Sequence, residues 1–177
     1  FLNNYEDYYS IDNVELRILP VTRTETPINI HVLFDPNLST DIIRRDFFNQ
    51  LQFEYSGSKY QCNKDALIQL GRAVKTDVVS DEEAYKSGLD QFNISFSDLR
   101  DILKANSLKG HFIVGVANSN KDGNSGIQDS TLSATRKEIY RLSDFIFSAN
   151  PNDIKFFLGN GRSTKEQLIK EYGSLKP

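Results

Sequence analysis

The chain has 177 residues, 38% hydrophobic and 25% charged, which is enough for a globular domain with a real core. Its 21 basic and 24 acidic residues leave a formal charge of −3, which argues against a basic nucleic-acid-binding face over the whole surface. No apolar run approaches the roughly 20 residues of a bilayer span, no signal-peptide pattern is present, and the single Cys62 allows neither an internal disulfide nor a thiolate cluster.

Residues 1–12 (FLNNYEDYYSID) are tyrosine-rich and polar, compatible with an edge strand, a helical turn or a loose end. Val14 to Leu19 (VELRIL) predicts a short strand with Glu15 near its start. Ile28 to Asp35 (INIHVLFD) predicts a second, buried strand. It is β-branched, bounded by Pro27 and by Asp35-Pro36, and carries one ionisable residue, His31. A carboxylate and an imidazole at the ends of two adjacent strands make a candidate pair of metal ligands, oxygen and nitrogen donors suited to a divalent ion. The competing structural role for His31 is that of a hydrogen-bonded core histidine.

Ser39 or Thr40 caps a helix expected to run to about Leu51, with Ile42, Ile43, Phe47, Phe48 and Leu51 on one face. Phe53 to Gln61 predicts a turn with short extended pieces around Gly57. A helix follows from about Lys64 to Val79. Ser80 with Glu83 forms a capping-box signature for a short helix towards Phe92, and Ser97 is expected to cap another ending near Asn106. His111 to Ala117 (HFIVGVA) predicts a strand. After it comes a polar loop, 118–128, and a helix from about Ser130 to Ser143. A strand Phe145–Ser148, a turn at Asn150-Pro151 and a short helix to Leu158 follow. Ser163 with Glu166 signals the cap of a last helix, ended by Gly173.

Strands alternating with helices predict an α/β fold with a mostly parallel sheet, either a β/α barrel or an open sheet. In both, polar residues at the carboxyl ends of strands are the expected site. Residues 1–177 are expected to form one domain, since no repeat, low-complexity tract or linker interrupts them. Asn118 and Asp122 are candidate polar site residues at the end of the HFIVGVA strand. Asn118, Asn120, Asp122, Gly123 and Asp129 also mimic a calcium loop. The mimic follows a strand, carries two neutral Asn ligands and ends in Asp, which favours an ordinary surface loop. Arg136, Lys137 and Arg141 on the next helix are candidate phosphate contacts, set against a solvated helix face. No nucleophile triad and no nucleotide-binding glycine motif is present.

The pairing of NVEL with INIHVLFD resembles the middle metal-binding motifs of the PHP (polymerase and histidinol phosphatase) domain. The wider chain resembles the PHP-like module at the front of large bacterial ATPases of the TrlF type. The resemblance lies in LGR at Leu70–Arg72, DEEAYK at Asp81–Lys86, the DGNSG loop, KEIYRLSDFIFSANP and the closing EYGSLKP. The lone cysteine and missing signal-peptide pattern lead to the expectation of a cytoplasmic protein, and the resemblance implies a distorted, TIM-like β/α barrel or a fragment of one. It also implies divalent metal (Mn, Zn or Mg) with Glu15 and His31 among its ligands, and hydrolysis of a nucleotide or nucleic-acid phosphoester beside an ATPase domain of the same protein. The family's opening His-x-His pair is expected before residue 1 and its closing Asp-x-His pair after Pro177, so residues 1–177 are expected to be a fragment without a full metal cluster. Asn118 stands where many members place a ligand histidine. The alternative is a catalytically degenerate module that binds a ligand or docks a partner domain.

Overall fold

The structure, a computed structural model, describes residues 12–19, 27–77, 80–118, 133–148 and 150–176. The chain divides into two compact units: residues 1–36 with 111–177, and residues 37–110.

The first unit is organised by two apolar strands, β1 (Asp12–Leu19) and β2 (Ile28–Phe34). Side chains alternate across a strand, so one row of each faces the core. In β2 that row is Ile28, Ile30, Val32 and Phe34, all buried, and β1 supplies Leu16 and Ile18. The two strands pair antiparallel, with Val14 opposite Val32 and Leu16 opposite Ile30. β6 (Phe112–Asn118) pairs antiparallel on the other side of β2, and β7 (Phe145–Ser148) pairs parallel with β6. The order within this unit is thus β1-β2-β6-β7.

The fold is mixed α/β as expected, but parallel pairing occurs at β6–β7 while the β1–β2 and β2–β6 pairs are antiparallel. Eight residues separate Leu19 from Ile28. A parallel connection needs a dozen or more, so a hairpin is what that length permits. Among the described residues no sheet closes on itself, so they show no barrel.

Helix α5 (Ser133–Leu142) is the crossover between β6 and β7. Its Ile139 and Tyr140 are buried, and the Tyr140 ring meets Phe157 and Tyr172 edge-to-face, with centroids 5.0 and 5.5 Å apart. Those partners come from α6 (Pro151–Phe157) and α7 (Lys165–Tyr172). Asp144 fixes the turn into β7: its backbone N–H donates to the Val114 carbonyl at 2.7 Å, and its carboxylate accepts from the Val114 N–H at 2.8 Å. Lys176 is buried, and its ammonium donates to the Ser143 carbonyl just past the end of α5 and to the Ser174 hydroxyl. Burial lowers its pKa. Gly173 ends α7 in the left-handed region, as the sequence predicts, while the turn expected at Asn150-Pro151 is the start of α6, with Asn150 as its cap and Pro151 at its first position. The cap of α7 is Thr164, boxed with Gln167, and not Ser163 with Glu166.

The second unit opens with α1 (Thr40–Ile42), capped by Ser39, which continues into a π-helical turn over Ile43–Phe47 and a 3₁₀ turn over Phe48–Gln50. The regular helix expected here is therefore broken. The π-helical turn begins at Ile43 and ends at Phe47, and both are fully buried. The hairpin β3 (Gln52–Tyr55) and β4 (Ser58–Gln61) turns on Ser56 and Gly57, both at positive φ, as a two-residue loop of the primed kind requires. Helices α2 (Lys64–Val74) and α3 (Asp81–Gln91) follow, capped by Asn63 and Ser80. A two-residue extended piece, β5 (Ile94–Ser95), leads into α4 (Phe96–Ile102), whose cap is Ser95 and not Ser97. Phe53 and Phe92 meet in this unit's core with ring centroids 5.9 Å apart.

Asp46 holds the π-helical turn to the end of the unit. Its carboxylate accepts two bonds from the Arg45 guanidinium at 2.7 Å and one from the Ser107 hydroxyl at 2.6 Å. Arg45 first, then Ser107, hold its pKa at about 2, below the ordinary 3.8. The folded carboxyl therefore binds its proton later than the unfolded one. Its stabilising contribution is complete above the ordinary value and is lost as pH falls through about 2. Acid unfolding followed by circular dichroism is expected to be shallower in Asp46→Asn over this range. An unchanged pH profile would show that the Asp46 contacts contribute nothing.

Candidate functional site

Glu15 and His31 are direct cross-strand partners in the β1–β2 register. Residues so paired project to the same face, with Cβ atoms about 5 Å apart. The row continues: His31 is opposite Gly115 on β6, and Gly115 is opposite Phe145 on β7. One line across the four strands therefore carries Glu15, His31, Gly115 and Phe145. It lies on the face away from the core, with Glu15 exposed and His31 half-buried. Both residues are fourth in their strands. The expectation of a pair at strand ends is thus corrected to a pair at mid-strand, because hairpin pairing runs the two strands in opposite directions and aligns their centres.

Aromatic rings border the pair. The His31 ring contacts Phe147, centroids 5.2 Å apart at 70°, and Phe147 contacts Phe145 at 4.9 Å and 84°. Gly115 makes room for this: a Cβ there would lie 2.5 Å from the Phe145 ring and 3.1 Å from the Phe147 ring. Sequence reading did not single out these three residues, although the alternation in FIFS places both phenylalanines on one face. Phe147 stays 48% exposed. Along β2 on the same face, the Asn29 amide oxygen is buried and has no hydrogen-bond partner among the described residues.

The two donors suit a divalent ion in kind, carboxylate oxygen and imidazole nitrogen. Such ions take four or more ligands. Among the described residues no group of three His, Cys, Asp or Glu could hold a metal ion. Glu15 and His31 by themselves are two donors, short of such a set.

Asn118 closes β6 opposite Ser148 at the carboxyl ends of the parallel pair. Next to it, the Ser148 hydroxyl donates to Asp153 at 2.6 Å and the Asn150 side-chain amide donates to Asp153 at 3.3 Å. These polar groups satisfy one another and start α6. The Asn118 side chain, Asp122, the calcium-like loop and the Arg136 side chain lie outside the described residues. Arg141 joins α5 to α7: its guanidinium donates to the Glu171 carbonyl at 2.9 Å and to Glu138 at 2.7 Å, while Lys137 pairs with the Glu171 carboxylate at 2.6 Å. His111, just before β6, has Nδ1 at 3.2 Å from the Asp35 carboxylate. Burial pushes the Cys62 thiol up to about 11, which leaves it protonated and unreactive at neutral pH. Among the described residues no helix is long and apolar enough to cross a membrane. Compared with protein-family models, with curated proteins and with solved structures, the chain finds no match.

Proposed function

We propose that the chain is part of a metal-dependent phosphoesterase of the PHP-like kind, acting on a nucleotide or nucleic-acid phosphoester in a protein that also carries an ATPase. The observation that supports it is the register that sets Glu15 opposite His31 on an accessible face. Both residues are those that the PHP-like motifs assign to metal. When bound, a divalent ion (Mn, Zn or Mg) would neutralise phosphate oxygens and lower the pKa of a bound water. Glu15 and His31 supply two of its ligands, and the remaining donors come from outside the described residues.

Calorimetric titration with Mn²⁺ or Zn²⁺ tests this. Glu15→Gln with His31→Ala is expected to weaken binding by more than the roughly 10–100-fold that outer partners of a metal site cost. A protein that takes up neither ion, or a double variant that binds as the parent does, ends the proposal. The second reading, a catalytically degenerate binding module, is favoured by the lack of a third donor among the described residues and by the aromatic contacts of His31. Hydrolysis of a phosphodiester by the protein would exclude it.

A further inference from the structure

We infer that β7 is a dimerisation edge, along which a second copy of this chain pairs antiparallel through Phe145, Ile146 and Phe147. The inference is independent of the phosphoesterase reading. β7 ends the sheet order, and among the described residues β6 is its one strand partner. Alternate residues of β7 therefore turn N–H and C=O groups away from β6, a template on which another strand can pair. The usual guards of such an edge are missing. FIFS has no charge, no proline and no glycine, and its pairing with β6 runs without a bulge.

The side chains of β7 lack a neighbour on both faces. On the core face Ile146 is opposite Val116, yet Val116 is fully buried and Ile146 only half-buried. On the other face Phe145 is half-buried and Phe147 largely exposed. The core thus runs out to β7 and stops there with apolar groups in water, which one further strand would cover.

A twofold axis through Ile146 makes β7 complementary to itself. Residues opposite each other in an antiparallel pair lie on one face. About that axis Phe145 meets Phe147 of the second copy, Phe147 meets its Phe145, and Ile146 meets its own counterpart. Two aromatic pairs and one aliphatic pair result, the kinds of cross-strand pair that stabilise a sheet. An axis through Phe147 would set Ile146 against Ser148 instead. Charge agrees with the first register. Asp144, which adjoins the strand, comes opposite Ser148, and the two Asp144 residues stand at opposite ends of the joint, about 13 Å apart along the strands. Such a contact is isologous and closes at two copies.

Sedimentation velocity on the full chain from about 1 µM to about 1 mM tests this, since so short a joint belongs with transient contacts. The parent is expected to shift from monomer to dimer over that range. Ile146 stands on the axis, so a charge placed there faces its own copy. Ile146→Lys alone and Ile146→Glu alone are each expected to weaken dimerisation about tenfold or more, and an equal mixture of the two is expected to restore it. Phe147→Lys, at an exposed position, is expected to weaken it too, and serves if circular dichroism shows the Ile146 variants unfolded. Ile169→Lys on α7, a similarly exposed apolar residue, is expected to dimerise as the parent does. A parent that stays monomeric at the highest concentration overturns the inference, the result expected if another strand of this chain or a different protein covers β7. So does a Phe147→Lys variant that associates as the parent does, a folded pair of Ile146 variants that mixing does not rescue, or assembly that grows beyond the dimer.

Discussion

Gly71→Ala is expected to cost about 3 kcal/mol or more, beyond the usual range for an overpacked site, because backbone has to move. A Cβ at Gly71 would lie 1.7 Å from the Ala84 carbonyl oxygen, and one at Gly88 would lie 1.9 Å from the Leu67 carbonyl oxygen. The contact is reciprocal. Each glycine of the α2–α3 pair sits under the carbonyl four residues before the other's position, so the two helices cross with their backbones touching. Neither carbonyl can swing away as a side chain would, since it belongs to a helix. The second unit buries Leu67, Leu70, Ala84 and Phe92 around this crossing, and separating the helices exposes them. Urea unfolding monitored by circular dichroism measures the loss. Gly110→Ala is the control: its φ is +81° and nothing lies near its Cβ, so only the cost of about 1–2 kcal/mol for a left-handed residue applies. If Gly71→Ala were no more destabilising than Gly110→Ala, the crossing would have to be looser than described.

Gly115→Ala is expected to cost about 1–3 kcal/mol, less than Gly71→Ala, because a ring and not a backbone must yield. The new Cβ would meet Phe145 at 2.5 Å and Phe147 at 3.1 Å. Both rings then leave their positions over β6, and the contact between Phe147 and His31 goes with them. The protein has two histidines, His31 and His111, so the His31 ring protons are simple to assign by NMR. Their ring-current shift is expected to diminish in Gly115→Ala and in Phe147→Leu, while His111 stays unchanged. Persistence of the His31 shift in both variants would mean that Phe147 does not pack on the imidazole.

The helix ends show where local chemistry suffices. Ser39, Ser80 and Gly173 act within three or four residues of themselves, and their caps form where the sequence predicts them. Where two hydroxyls compete, the outcome depends on how the following helix packs. Ser95 caps α4 so that Phe96 and Leu99 are both buried, and Thr164 caps α7 with Leu168 and Tyr172 buried. The helix changes to a π turn after Ile42, over a stretch whose ends, Ile43 and Phe47, are both in the core.

Amino-acid order alone determined which segments extend, where most helices start and stop, and that Glu15 and His31 lie on neighbouring strands. Tertiary structure decided what those residues face. Strand direction follows from connection length and from which strands become neighbours, and periodicity carries neither. The row Glu15, His31, Gly115 and Phe145 joins positions up to 130 residues apart, and pairing register alone brings them into line. The roles of Gly71, Gly88 and Gly115 are likewise absent from any local pattern, because a missing side chain matters only where another part of the chain fills its place.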